Sequence, residues 1–166
     1  MANNYTQFSE VIPRLTPDEE AWIREQLDSG AMQDESRRSQ LAWKPEFEDI
    51  DYVTFEWSVE DDNDEDVDSC GRHLWLHSDE SGSPIDVAAF VQAFLKKFRP
   101  DQSFALTWAD TCSKPRVGEF SGGALFITAH AVEVCSPFEW LGEREREFRD
   151  ESFVSGSSRA VPDAAL

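Results

Sequence analysis

The sequence has little of what a secreted or membrane-bound protein needs. Its three cysteines, Cys70, Cys112 and Cys135, are too few and odd in number for a disulfide framework. No apolar run approaches the roughly 18 residues of a membrane-spanning helix. Residues 1–5 lack the basic start and the apolar core of a signal peptide. We therefore expect a cytoplasmic protein without a membrane partner.

Basic residues are also scarce. Lys and Arg number 15 against 34 Asp and Glu, which gives a formal net charge of −19 and a pI near 4.3. Such a chain is repelled by nucleic acid and by anionic lipid, while its field attracts basic molecules. We therefore expect no direct binding of DNA or RNA, and we expect the partner to be a basic protein or complex.

Aromatic residues, by contrast, are abundant. Six Trp, twelve Phe and two Tyr supply apolar surface for a packed core, which a disordered acidic chain would lack. A length of 166 residues is that of one ordinary domain. We expect a single acidic domain over residues 1–153 and a flexible tail over residues 154–166, where Ser, Gly, Pro and Ala are frequent.

Periodicity and capping signals predict a mixed α+β fold. Residues 16–19, Thr-Pro-Asp-Glu, combine an N-cap, a proline at the first helical position and a capping-box glutamate. Residues 31–47 show no period and are expected to form a loop. The predicted elements are a strand at 5–15, a helix from 17 to about 28, strands at 52–59 and 72–77, a helix at 84–98, a strand at 104–108, an apolar strand from 124 toward 134 and a helix from 137.

The first six elements match the ferredoxin-like βαββαβ order. We therefore expect an antiparallel sheet with two helices on one face, an extra strand at one edge and a C-terminal helix. The second helix is the clearest, because its apolar residues repeat every three or four positions up to Phe98.

One segment concentrates the acidic charge. Between residues 46 and 68 there are twelve Asp or Glu and no Lys or Arg. Carboxylates crowded on a hairpin approximate duplex DNA, which carries about one charge per 1.7 Å of its axis. Five acids of the first helix are candidates to extend this surface: Asp18, Glu19, Glu20, Glu25 and Asp28. The candidate partner-binding site comprises the twelve acids of the segment: Glu46, Glu48, Asp49, Asp51, Glu56, Glu60, Asp61, Asp62, Asp64, Glu65, Asp66 and Asp68.

The same acids suit two other interpretations. An EF-hand calcium loop needs Gly at its sixth position and Glu at its twelfth, where a loop starting at Asp62 has Val67 and His73. We therefore expect no bound metal and no cofactor. A solvated face that only keeps the protein in solution is the other interpretation, and the sequence leaves it open beside nucleic-acid mimicry.

A small accessory enzyme or metal-dependent module is the alternative function. His73, Trp75 and His77 share one strand face, because positions two apart point the same way; the loop at 112–116 would complete the site. A structural zinc site, however, needs four ligands at short spacing, and the chain has neither a serine elbow nor a phosphate-binding glycine loop. We therefore expect no enzyme, and we expect Arg116 to pair with nearby acids.

The region 70–142 resembles a family of small uncharacterised proteins carried on bacterial plasmids, phages and other mobile elements. Five stretches carry the resemblance: Phe-Val-Gln-Ala-Phe-Leu-Lys-Lys-Phe at 90–98, Thr-Cys-Ser-Lys-Pro-Arg at 111–116, Gly-Gly-Ala at 122–124, Ile-Thr-Ala at 127–129 and Trp-Leu at 140–141. The family has no established activity, so the resemblance implies no catalytic residue. It implies that host defence complexes which grip nucleic acid are natural partners.

These observations lead to one expected function. The protein is a non-catalytic acidic binding protein that mimics nucleic acid and occupies a basic site on a host complex, as an anti-CRISPR or anti-restriction inhibitor would. The identity of the partner and the oligomeric state are left open by the sequence.

Overall fold

The computed structural model describes residues 3–44, 52–61 and 71–156. The elements, in chain order, are β1 (Asn4–Leu15), α1 (Pro17–Gln26), α2 (Ser29–Gln33), α3 (Glu35–Arg38), β2 (Glu56–Asp61), β3 (Arg72–Ser78), α4 (Pro84–Phe98), β4 (Ser103–Cys112), β5 (Ser121–Thr128), β6 (Val132–Cys135) and α5 (Pro137–Gly156). Within these residues the strands form one antiparallel sheet in the order β2-β3-β1-β4-β5-β6. The predicted α+β class and antiparallel sheet are confirmed.

The core lies between one face of the sheet and the helices α1 and α4. Alternation along β3 turns Leu74 and Leu76 inward, where both are fully buried. Helix α4 buries Phe90 and Phe94 completely, and Trp22 of α1 stacks on Phe90 with ring centroids 5.8 Å apart. Each such side chain contributes about 1.5–3 kcal/mol when it leaves water, so this layer is the main source of stability.

Local signals determine where the two long core helices begin. The Thr16 hydroxyl accepts a hydrogen bond from Glu19 N, and the Glu19 carboxylate accepts one from Thr16 N at 2.8 Å, which completes the predicted capping box. The Ser83 hydroxyl caps α4 by accepting from Asp86 N at 3.2 Å. Helix α4 has the predicted bounds, and α1 ends at Gln26, slightly earlier than predicted.

The expectation of an unbroken loop over residues 31–47 is wrong for its described part, which contains the end of α2 and all of α3. Asp28 and Asp34 cap these helices with side-chain oxygens that accept backbone N–H groups. Trp43 is then buried, and its Nε1 donates to the Gln26 carbonyl at 3.3 Å. The two helix caps and the buried Trp43 hold this segment in place. It therefore needs no periodic apolar pattern, which is the signal by which helices are predicted from sequence.

The second strand begins later than predicted, at Glu56, and extends to Asp61. The preceding residues are held away from the sheet, because the Thr54 hydroxyl donates to the buried Asp86 carboxylate of α4. The Thr54 carbonyl also accepts a hydrogen bond from the backbone N–H at the start of α4 at 3.1 Å. Tertiary anchoring therefore overrides the alternating pattern.

The apolar run predicted as one strand from 124 toward 134 is two strands. Thr128 N donates to the Ala131 carbonyl at 2.8 Å, and the Thr128 hydroxyl accepts from Ala131 N at 2.9 Å. This turn folds β6 back against β5, so β6 rather than the predicted fifth strand forms the edge. Helix α5 begins as predicted and extends to Gly156, so residues 154–156 of the predicted tail are helical. Residues 157–166 of that tail lie outside the described residues.

Strand β1 pairs with two neighbours in succession. Residues 4–7 pair with β4, whereas the residues from Phe8 onward pair with β3. Beyond that point the Glu10 carboxylate accepts hydrogen bonds from the Thr107 backbone N–H at 3.3 Å and from its hydroxyl at 3.2 Å. A side chain thus replaces the ladder between β1 and β4 over this stretch.

Candidate partner-binding surface

Three of the twelve candidate acids lie in the described part of the chain, where Glu56, Glu60 and Asp61 belong to β2. This strand is at the end of the sheet next to β3, and all three side chains are exposed. The remaining nine flank β2 in sequence and lie outside the described residues: Glu46, Glu48, Asp49, Asp51, Asp62, Asp64, Glu65, Asp66 and Asp68.

Strand alternation gives the acids their direction. Trp57 and Val59 are partly buried and pack against the core. Because neighbouring positions on a strand point to opposite faces, Glu56, Ser58 and Glu60 face the side of the sheet that the core helices do not cover. The acids therefore stand on an open surface.

Their cross-strand neighbours on β3 are aromatic. The register gives three pairs: Glu56 with His77, Ser58 with Trp75, and Glu60 with His73. The Nδ1 atom of His77 lies 3.2 Å from a Glu56 carboxylate oxygen. The Nε2 atom of His73 lies 3.9 Å from a Glu60 carboxylate oxygen. The predicted common face of the three β3 residues is confirmed, and we call these six residues the acid–aromatic face.

Trp75 is held in one orientation on this face. Its indole N–H donates to the Ser9 hydroxyl of β1 at 2.9 Å, and its ring stacks on His77 with centroids 3.8 Å apart. Fixed aromatic side chains contribute a large share of the energy in protein interfaces. The face therefore offers an apolar anchor beside its charges.

Among the described residues, the parts of the alternative metal or enzymatic site lie apart. No group of three His, Cys, Asp or Glu among the described residues could hold a metal ion. His73 and His77 are four positions apart on an extended strand, or about 13 Å, too far to share one ion. Cys112 pairs with Asn4 of β1, whereas His77 pairs with Ser9, five residues further along that strand. The predicted site thus lies in separate places.

Asp61 is tied into the fold at the end of β2. Arg72 donates from Nε to Asp61 at 3.0 Å and from Nη1 to Glu20 of α1 at 2.5 Å. Glu20 also binds Arg24 at 2.9 Å. Hydrogen bonds from Arg72 first, and from Arg24 next, lower the pKa of Glu20, while Glu20 is the main cause of the raised pKa of Arg72. These contacts anchor the acidic strand to α1.

Three of the five acids predicted on the first helix, Glu19, Glu20 and Asp28, serve the fold instead of extending this surface. Glu19 is only 4% exposed and forms a two-pronged pair with Arg99 at 2.7 and 3.0 Å. Burial alone would raise the pKa of Glu19, but hydrogen bonds from Arg99 and Thr16 hold it below its usual value. Asp28 caps α2 and binds Arg37 at 3.0 Å. A continuous row of helix acids is therefore not formed.

Sequence reasoning missed a polar groove of about 370 Å³ between the start of β1, the end of β4 and the loop before β5. There the Asp110 carboxylate accepts hydrogen bonds from the hydroxyls of Thr6, at 2.9 Å, and Ser121. Glu119 lies 3.6 Å from Arg116, which confirms the prediction that Arg116 pairs with an acid. No sequence motif could reveal the groove, because its walls meet only in the fold.

No protein-family model, curated protein or solved structure matches this chain. None of the described helices is long and apolar enough to cross a membrane. The resemblance to mobile-element proteins therefore stays a prediction.

Proposed function

We propose that the protein is a non-catalytic inhibitor whose acidic surface, centred on β2, occupies the basic nucleic-acid-binding site of a partner. The observation that carries this proposal is the placement of Glu56, Glu60 and Asp61 on an exposed edge strand. The surrounding segment, residues 46–68, has no Lys or Arg. Its charge is therefore not neutralised from within the segment, and among its described acids only Asp61 pairs with an arginine of β3, Arg72. In the described part of the chain β2 has a neighbouring strand on one side only.

The spacing of negative charges along β2, compared with that of phosphates in DNA, indicates that the whole segment 46–68 contributes to the mimicry. The six residues of β2 carry three acids over about 20 Å, whereas one DNA strand has a phosphate every 3.4 Å or so. Strand β2 alone thus reaches about half the charge density of a single DNA strand. Nine further acids adjoin it in sequence, and we propose that they raise the density to that of nucleic acid.

The resemblance in residues 70–142 favours a host defence complex as the target. A CRISPR surveillance complex or a restriction enzyme grips nucleic acid through Lys and Arg, so its basic channel would attract this surface. Trp75 would add contact area that salt does not screen. We therefore propose an anti-CRISPR or anti-restriction role.

We also propose that β1, α1, β2, β3, α4 and β4 form a ferredoxin-like unit. The antiparallel order β2-β3-β1-β4 and the packing of α1 and α4 on one sheet face support this assignment. Strands β5 and β6 and helix α5 then extend the unit beyond β4, and the acid–aromatic face is its uncovered side.

The test is capture of the target from a host lysate. Immobilised protein would be incubated with lysate at low salt, and the retained proteins would be identified by mass spectrometry. We expect a nucleic-acid-binding complex that duplex DNA displaces and that high salt releases, because charged contacts are screened. A retained partner that neither DNA nor salt displaces would overturn the proposal.

Paired variants localise the surface. Replacing Glu56 and Glu60 by Gln removes two charges from β2 with little change in shape. The matched control replaces Asp18 by Asn and Glu25 by Gln, which removes two exposed charges from α1. We expect the β2 variant to bind the captured complex about tenfold more weakly, given about 0.5–1 kcal/mol per exposed charge pair, while the α1 control binds nearly as the wild type. Equal effects of the two variants would mean that only net charge matters.

A further inference from the structure

The two edges of the sheet differ in charge. Strand β2 exposes three acids at one edge, whereas β6, at the other, exposes Val132, Glu133, Val134 and Cys135. Glu133 is the only Asp, Glu, Lys or Arg between residues 120 and 138. Charged side chains on an edge strand prevent pairing with another sheet. Strand β2 has this protection, and β6 almost entirely lacks it.

The backbone of β6 directs hydrogen-bonding groups outward. Thr128 N donates to the Ala131 carbonyl at 2.8 Å, so these two residues form a hydrogen-bonded pair. Since such pairs alternate along an antiparallel ladder, Glu133 directs its N–H and C=O toward β5, whereas Val132 and Val134 direct theirs away from the sheet. In the described part of the chain, no backbone hydrogen bond outside the sheet reaches these outward groups.

The side chains next to this edge are apolar and exposed. Val134 is 55% exposed, and the first turns of α5, which follow β6 directly, expose Phe138 at 57%, Trp140 at 58% and Leu141 at 48%. Their exposed areas sum to on the order of 400 Å². Phe138 and Leu141, three positions apart, share one side of α5, whereas Trp140 lies on another side, so the four side chains do not form one continuous patch.

We propose that this edge binds a second copy of the same chain, through antiparallel pairing of β6 with its counterpart about a twofold axis at Val134. Any antiparallel strand edge is complementary to its own copy under such an axis. With the axis at Val134, this residue pairs with its equivalent through two backbone hydrogen bonds, and Glu133 lies opposite Cys135 of the second copy. An axis at Glu133 would instead place two carboxylates directly opposite each other, which is unfavourable.

The low charge of the β6 edge favours a second copy of the chain over a basic protein as its partner. A basic protein is drawn to the acidic edge rather than to residues 132–141, which contain two acids, Glu133 and Glu139. In the dimer the two β2 strands lie at opposite ends of a twelve-stranded sheet, about 50 Å apart at the usual strand spacing. That separation is several times the Debye length of about 8 Å at physiological salt, so the charges of the two β2 strands do not prevent pairing.

The small area of the seam sets the expected affinity. Two copies together bury at most on the order of 800–1,000 Å² including the strand backbones, which is the size of a weak, transient interface. Such interfaces dissociate readily, and we expect a dimer that forms at concentrations on the order of 10 μM.

Sedimentation of the full chain between about 1 and 300 μM at physiological salt tests the proposal. The wild type should shift from monomer to dimer, whereas Val134→Lys, which places a charge in the seam, should stay monomeric. Val134→Pro, which removes the outward N–H without adding a charge, should do the same. The matched control is Val11→Lys, at a 44% exposed valine of the central strand β1, and it should dimerise as the wild type does. A wild type that stays monomeric throughout, or equal dimerisation of Val134→Lys and the control, would overturn the proposal.

A crosslink tests the register. Hydrogen-bonded antiparallel partners have Cα atoms about 5.5 Å apart, within the range that a disulfide spans. With Cys70, Cys112 and Cys135 replaced by Ser, Val134→Cys should form a covalent dimer under mild oxidation, and Val11→Cys should not. If the chain dimerises but Val134→Cys forms no more covalent dimer than Val11→Cys does, pairing at Val134 is refuted. Near-ultraviolet circular dichroism confirms that each variant is folded, and capture of a lysate partner through β2 is a separate readout.

Discussion

Replacement of Arg99 by Met should be one of the most damaging single changes outside the apolar core. The guanidinium donates to the Glu19 carboxylate at 2.7 and 3.0 Å, to the Pro13 carbonyl at 3.1 Å and to the Arg14 carbonyl at 3.0 Å. Methionine fills a similar space but leaves all three acceptors without these donors. The end of β1, the start of α1 and the end of α4 lose their common link.

The loss of unfolding free energy in Arg99→Met is large because the Arg99–Glu19 pair is buried. The Arg99 and Glu19 side chains are only 13% and 6% exposed, and removal of one partner from a buried pair costs about 3–5 kcal/mol because the other charge is stranded. A domain of this size is stable by about 5–15 kcal/mol. The variant should therefore lose about a fifth or more of its stability. Arg24→Met removes a partner from a surface pair in which the Arg24 side chain is 53% exposed, and it should cost less than about 1 kcal/mol.

Urea denaturation measures the difference. With a slope of about 1–3 kcal/mol per molar urea, Arg99→Met should lower the midpoint by about 1 M or more. The pKa of Glu19 is held below its ordinary value of 4.5, so the stabilisation is present above that value and is lost as pH falls through the lower folded-state pKa. The gap between wild type and variant should therefore be large at pH 7 and shrink in acid. A cost below about 1 kcal/mol at pH 7 would refute this account of the pair.

Three further changes test particular contacts. Gly123→Ala should lower the melting temperature by several degrees, at about 1–3 kcal/mol, because the added Cβ would lie 2.3 Å from a ring carbon of Trp108. Gly142→Ala, where nothing lies within 4 Å in the interior of a helix, should stabilise by up to about 1 kcal/mol; the opposite order of the two melting temperatures would contradict the packing. Arg72→Gln should raise the pKa of Glu20, whose carboxylate it chiefly stabilises, and an unshifted NMR titration of that carboxylate would show that the contact is absent in solution.

The sequence predicts the long helices of the core well, because their signals are local. A capping box involves residues three apart, and the stripe of α4 is visible within four turns, so neither depends on distant contacts. The split of the apolar run after residue 124 was not predictable in the same way. Its turn at residues 129–131, Ala-His-Ala, has none of the Gly, Pro, Asn or Asp that mark most turns, and it is closed by the hydroxyl of Thr128.

The surface was less predictable than the fold. Composition alone places twelve acids in one segment, but only the structure shows which acids are free to act on a partner. Glu19 and Glu20 are committed to Arg99 and Arg72, partners 80 and 52 residues away, and no local pattern encodes pairs of that separation. Trp75 likewise gains its fixed orientation from Ser9 of another strand.

The divided pairing of β1 has a consequence for how the molecule opens. The Thr107 amide is held by the Glu10 side chain instead of by a backbone ladder, so one carboxylate rotation releases it. Local unfolding costs the least free energy in regions where only a few hydrogen bonds must break at the same time. Native-state hydrogen exchange should therefore find the Thr107 amide exchanging well before the amides of the ladder between β1 and β3. The seam between β1 and β4 would be the line along which the two sides of the sheet twist against each other.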